Sequence, residues 1–212
     1  MQKSAIIPAL APKTLGLIGQ VMNYSDDRCV LVVRHCNTTK ANPGEDDNVR
    51  VPTEKGLEQC RQAREVYAQH RPKLVICTGA QRTVATAQET FSPPIIAVPA
   101  PGMYPFNEEG VDTIFKAEGN VPLSRYFDGG WDPNGWLQRS LTGSLEVLRE
   151  HGDLRIDENL TFVNHGAFGP TLAWAFAEYL EVDASIALNI QLDEVEGLLV
   201  TLKGIQHLTL PC

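Results

Sequence analysis

Short apolar, largely β-branched runs alternate with stretches of helical spacing along this chain. That alternation limits the fold more than any other feature. The runs lie at residues 30–33, 74–77, 95–98, 160–163 and 197–202. Between them, Thr53 is placed to N-cap a helix reaching about residue 70, with Leu57, Cys60, Ala63, Val66 and Tyr67 on one apolar face. Helices are also expected over 81–91, 140–151 and 170–180. Strands whose connections are helices pair in parallel and are covered on both faces. The expected fold is therefore α/β, a three-layer sandwich around a mainly parallel sheet. No repeat, low-complexity tract or linker divides the chain, so residues 1–212 read as a single domain. Residues 99–136 form a long excursion rich in Pro, Gly and aromatics, among them Tyr104, Phe106, Phe115, Trp131 and Trp136. Disordered segments avoid aromatics, so the excursion reads as ordered.

Composition narrows the partners. The formal net charge of −8 repels nucleic acid and anionic membranes, so neither is expected as a partner. No apolar run approaches the roughly 20 residues of a membrane helix. AIIPALA after Lys3 mimics a short signal peptide, but Pro8 interrupts it, and the segment reads as a structured or frayed N-terminus. The five cysteines, at 29, 36, 60, 77 and 212, are odd in number, and three lie within or beside strand-like runs. That favours reduced thiols and a cytoplasmic location over a disulfide framework. No spacing suits zinc.

In open α/β sheets, ligands collect outside the carboxyl ends of the strands. CVLVVRHCN delivers Arg34 and His35 to that edge, and TFVNHG delivers His165. VICTGAQRT puts Arg82 one turn into the helix after the second strand. A single strand-end His or Arg is most often structural. Two imidazoles and two guanidiniums on one rim would repel one another unless an anion sat between them. Arginine forks match phosphate oxygens, so a phosphoryl group is the natural guest. The rival motifs miss on spacing. A cysteine phosphatase needs five residues between Cys and Arg; five after Cys36 lead to Asn42, and only four separate Cys77 from Arg82. There is no Gly-rich loop ending in Gly-Lys-Ser/Thr, no G-x-G-x-x-G and no G-x-S-x-G elbow. Asp46 and Asp47 read as part of a solvated acidic loop, which gives metal-assisted hydrolysis little support.

Four pieces then stand in order: RHC at 34–36, TEKG at 53–56, TGAQRTVATA at 78–87 and NHG at 164–166. Together they resemble the histidine phosphatase superfamily, with its phosphoglycerate-mutase-like fold. Cys36 stands where the family has Gly, and a positive φ there would carry a cost. Thr78-Gly79 replaces Ser-Pro, and Thr83 replaces Ala.

The resemblance implies a metal-independent phosphomonoesterase of the histidine acid phosphatase type, with no cofactor. His35 would be the nucleophile, forming a phosphohistidine that water hydrolyses. An imidazole attacks only when neutral, which its ordinary pKa of about 6.5 and the neighbouring cations favour. Arg34, Arg82 and His165 would hold the phosphoryl oxygens, and Asn37 would add a hydrogen bond. Glu108 is the expected proton donor for the leaving group, with Glu109 and Asp112 as alternatives. The substrate would be a phosphorylated small molecule or a phosphoprotein, selected by the excursion. Two other readings share the fold: a non-catalytic phosphate-binding protein and a phosphoglycerate-type mutase. The mutase's usual continuation after Arg-His-Gly is missing from NTTKANPGEDD.

Overall fold

The computed structural model describes residues 9–21, 29–42, 44–70, 72, 74–91, 96–99, 103, 117–128, 138–150 and 159–211. Among these, six strands form one sheet: β1 (Val30–Arg34), β2 (Leu74–Cys77), β3 (Ile96–Pro99), β4 (Leu160–Asn164), β5 (Gly197–Thr201) and β6 (Gly204–Leu208). Their spatial order is β3-β2-β4-β1-β5-β6. β3, β2, β4 and β1 pair in parallel, while β5 pairs antiparallel with both β1 and β6. Strand β1 thus lies inside the sheet and is buried on both faces, which is why its sequence is a continuous apolar run rather than an alternating one.

The pleat divides β1 between two cores. Val30 and Val32 join one cluster with Ile18, Leu145, Phe168, Leu172 and Phe176. Leu31 and Val33 join another with Cys60, Ala63, Tyr67, Ala87 and Phe91. Successive side chains of a strand point to opposite faces, so this split defines the layers. One face carries α2 (Glu54–Tyr67) and α3 (Gln81–Phe91); the other carries α1 (Pro12–Val21), α5 (Gln138–Glu150) and α6 (Phe168–Tyr179). Short helices α4 (Leu123–Asp128) and α7 (Ser185–Asn189) complete the described set. Each fully buried Val or Leu contributes roughly 1.5–3 kcal/mol, so β1 is anchored from both sides.

Local chemistry sets the helix that follows β1. Thr53 is the N-cap of α2: its Oγ1 accepts from the Gly56 amide at 3.1 Å and donates to Asn37 Oδ1 at 2.7 Å. The expected helix to residue 70 is α-helical only to Tyr67, and its last turn, Ala68–His70, is 3-10. The third strand runs one residue past its expected end, to Pro99, tolerable because β3 lies at the edge of the described sheet.

Helices α1 and α7, the 3-10 turn at Asp47–Val49 and strand β6 go beyond what the sequence led us to expect. Helix α1 follows the ambiguous N-terminal stretch, with Pro12 at its first position, where a missing amide hydrogen costs nothing. The single strand expected over 197–202 is the first arm of a hairpin, which turns at Leu202-Lys203-Gly204, with Gly204 at φ 118°, and returns as β6. The sheet is consequently mixed rather than parallel to its edge. Among the described residues, no helix is long and apolar enough to cross a membrane.

Candidate active site

Register brings the two histidines together. Strands β1 and β4 pair with Arg34 opposite Asn164, so the next residues, His35 and His165, emerge side by side. The His35 amide donates to the Asn164 carbonyl at 2.9 Å, extending the ladder by one bond. The two imidazoles sit edge to face, with centroids 5.1 Å apart and planes at 65°. Strand β2 flanks β4 on the other side, and after Cys77 the chain turns into α3. The guanidinium of Arg82 then reaches back, with Nη2 3.3 Å from His165 Nδ1. All three side chains are buried: relative exposure is 9% for His35, 4% for His165 and 1% for Arg82.

Hydrogen bonding assigns the ring protons. Nδ1 of His35 lies 2.8 Å from the Cys36 carbonyl, and a carbonyl can only accept. Nδ1 therefore carries the hydrogen, and in the neutral ring Nε2 keeps its lone pair. His165 is the reverse. A guanidinium can only donate, so Nδ1 of His165 accepts from Arg82 and Nε2–H donates to Thr78 Oγ1 at 2.9 Å. Thr78 Oγ1 is 2.7 Å from Thr83 Oγ1, and Thr83 Oγ1 donates to the carbonyls of Thr78 and Ala80. With the Thr83 hydrogen committed to these carbonyls, Thr78 must donate to Thr83. A one-way chain runs from His165 through both threonines into the backbone. These are the two threonines that depart from the superfamily's usual Ser-Pro and Ala.

Burial and charge keep both rings neutral. The His35 pKa lies well below its ordinary value because burial penalises the imidazolium, with Arg82 next in effect and Arg34 and Arg50 adding to it. Its bond to the Cys36 carbonyl opposes this. His165 is depressed in the same way, by burial first, then by Arg82, His35, Arg34 and Arg50. The sequence pointed to the cations as the cause; in the structure, desolvation dominates.

Arg34 stands at the end of β1, where Nη1 donates to the Leu192 carbonyl at 2.5 Å. Its Nε is buried and has no hydrogen-bond partner among the described residues. Burial lowers its pKa while Glu194, Asp193 and Glu196 raise it. Asn37 has one of its two side-chain amide hydrogens engaged within the protein. Its Nδ2 donates to Glu194 at 3.2 Å and its Oδ1 accepts from Thr53, so it braces the strand end against α2. Glu108, Glu109 and Asp112, along with most of the aromatic excursion, lie outside the described residues.

Two residues enter the site that sequence reasoning had left outside. Asp47 is not in a solvated loop: its Oδ2 pairs with Arg82 Nη2 at 2.5 Å and its Oδ1 with Arg50 Nη1 at 3.0 Å. Arg50 follows it in, also donating to Thr38 Oγ1 and the Thr39 carbonyl, each at 2.6 Å. An Asp and an Arg three apart on a short turn were the signal available for the second pair. Cys36 is fully buried, its amide donates to Thr86 Oγ1 at 3.0 Å, and it is not among the positive-φ residues. The strain expected there does not arise. Contact with Cys60 lowers the Cys36 pKa, while burial pushes Cys29 up to about 11 and Cys77 up to about 12.

A scan of described protein families finds no match to this chain, and no curated protein matches its sequence. Solved structures do match. A mycobacterial glucosyl-3-phosphoglycerate phosphatase aligns with a TM-score of 0.55 at 17% identity, over 86% of this chain and 97% of that one. The alpha-ribazole phosphatase from Shigella flexneri aligns at 0.54 and 16% identity, over 87% and 96%. A phosphoserine phosphatase from Entamoeba histolytica, solved with 3-phosphoglyceric acid, aligns at 0.54 and 16%, over 87% and 97%. The fold of this chain is the one shared by these solved structures, the phosphoglycerate-mutase-like fold.

Proposed function

We propose that the protein is a phosphatase that hydrolyses a phosphomonoester through a phosphohistidine on His35. One observation carries this reading. Two neutral imidazoles stand 5.1 Å apart at the carboxyl ends of adjacent parallel strands, with the buried Arg82 guanidinium against the second. Nε2 of His35 has the lone pair needed to attack phosphorus, and the Cys36 carbonyl holds the ring through Nδ1–H. Arg34, Arg82 and His165 surround the transferring group. The charge and hydrogen-bond donors of Arg34 and Arg82 act where negative charge gathers in phosphoryl transfer, while His165, its one N–H on Thr78, orients Arg82 through Nδ1; preorganised groups of this kind supply most of the catalysis. The P–O bond to the leaving group breaks as N–P forms. The departing oxygen takes a proton from a carboxylic acid, which we assign to Glu108, with Glu109 and Asp112 as alternatives. Water then attacks the phosphohistidine and releases phosphate. The names of the solved neighbours support a phosphorylated substrate; we keep both a small molecule and a phosphoprotein as its bearer.

Acid-quench trapping tests the proposal. Incubation with a ³²P-labelled phosphate ester should leave an acid-labile, base-stable phosphoryl group on the protein, lost in His35→Ala. Phosphate binding without label, at any time point, would favour a non-catalytic binding protein on the same fold.

A further inference from the structure

The loop between β1 and α2 brings an anion into the space where a phosphoryl group would meet Arg82. Asp47 opens a 3-10 turn, Asp47–Val49, capped by Asp46, whose carboxylate accepts from the Asn48 amide at 3.0 Å. Arg82 donates twice to Asp47, through Nη1 to the backbone carbonyl and through Nη2 to Oδ2, both at 2.5 Å. The same guanidinium touches His165 through Nη2. The Arg82 side chain is 1% exposed and that of Asp47 is 15% exposed. A guanidinium buried without a counter-charge is costly by several kcal/mol, so the resting site needs an anion beside Arg82. Asp47 is that anion. It is held by two arginines, as a phosphoryl oxygen would be.

The geometry points to exchange: we infer that Asp47 is a displaceable internal anion, and that the substrate's phosphoryl group replaces its carboxylate on Arg82. This inference rests on reading the site as a phosphoryl site. It makes Asp47 a selectivity-determining residue. A free carboxylate must compete with a tethered one of the same charge, and tethering gives the internal group a high effective concentration. A phosphoryl dianion carries a second charge and further oxygens for Arg34, so it can win the exchange. Asp47 therefore weakens binding of every anion and excludes the monocarboxylates. Arg50 gives the released carboxylate somewhere to remain, because that ion pair lies within the same loop.

Calorimetric titration with inorganic phosphate tests this on three proteins: the unsubstituted chain, Asp47→Asn and Asp46→Asn. Asp46→Asn removes the neighbouring charge while keeping a side chain able to cap the turn. Asp47→Asn should bind phosphate more tightly by between about fivefold and a hundredfold, the usual range for two coupled binding events. Asp46→Asn should stay within about twofold, since an exposed charge is screened. Equal or weaker phosphate binding by Asp47→Asn overturns the inference, as does an equal gain in Asp46→Asn. Should Asp47→Asn fail to fold, hydrogen exchange in the unsubstituted protein decides: saturating phosphate should speed exchange at residues 47–50, and unchanged or slower exchange overturns the exchange model. Label on His35 with unaltered phosphate affinity in Asp47→Asn would sink this inference and leave the phosphatase standing. Tighter phosphate binding with no label in either protein would do the opposite.

Discussion

Nε2 of His165 donates to the hydroxyl of Thr78 at 2.9 Å, and that bond determines which edge of the ring faces Arg82. The hydroxyl can accept from the ring because Thr83, 2.7 Å away, takes its hydrogen. The two threonines thus act on His165 as one unit.

Thr83→Val keeps the shape of the side chain and removes the acceptor. Thr78 is then free to rotate and donate to His165, which would move the ring proton to Nδ1 and against Arg82. Leaving a buried hydroxyl unsatisfied costs about 1–3 kcal/mol, readable as a lower urea midpoint. Turnover should fall with KM nearly unchanged, because the ring is mispositioned rather than missing. Identical kinetics in a folded Thr83→Val protein would show that the relay does not position His165.

Arg82→Lys keeps the charge and loses the fork. Lysine is a point charge on a flexible stem and cannot engage two oxygens in a fixed plane. Phosphohistidine formation should slow by about 10²–10³-fold, the scale for removing one preorganised donor. Rapid-quench labelling measures it directly.

Cys36→Ala tests whether the thiol beside His35 reacts. Its sulfur is buried against Cys60, and its amide bond to Thr86 survives the change. Removing one sulfur should cost on the order of 1 kcal/mol in stability and leave the yield of His35 label unchanged. Loss of label in a folded protein would reopen cysteine chemistry.

Both site histidines are depressed below their ordinary pKa, so the unfolded chain binds more protons than the folded one below about pH 6.5. Stability from this source is complete above that pH. It declines as pH falls, by up to about 1.4 kcal/mol per pH unit for each histidine, until the folded-state pKa is reached. His35→Asn should flatten the acid side of the stability profile in urea titrations between pH 7 and 5. An unchanged slope would mean that His35 is already protonated in the folded protein.

Gly56 has no room for a side chain. A Cβ there would lie 2.1 Å from the Asn37 carbonyl oxygen and 3.1 Å from Cys36 Sγ. Backbone cannot yield as a flexible side chain can, so Gly56→Ala should push α2 away from the residues that follow His35. A cost of about 1–3 kcal/mol and a loss of labelling larger than the loss of fold are expected, measured by thermal unfolding beside the trapping assay.

Much of this was legible in the sequence where one local rule decided the outcome. Thr53 caps its helix as the pattern requires, and the uninterrupted apolar run at β1 marks a strand covered on both faces. The strand-end rule placed Arg34, His35 and His165 on one rim, and the distances put the two rings in contact. The illegible parts depend on what a residue meets far along the chain. Asp47 reads as solvated until α3 brings Arg82 to it across 35 positions. Asn37 looks free until Glu194 arrives from 157 positions away. Thr78 and Thr83 look like drift from a familiar pattern until His165 connects them. The β6 arm was missed because a Lys-Gly turn is a weak hairpin signal beside Asn-Gly.

The pairing of Arg34 with Asn164 also dates the site within the life of the chain. Those partners are separated by 130 residues, and a contact so distant in sequence has a large loop-closure entropy to overcome. On the ribosome, β1 is synthesised before β4 and must wait for it. His35 is thus made well before its partner ring, and the two-histidine rim is assembled only once β4 has emerged and folded back onto β1.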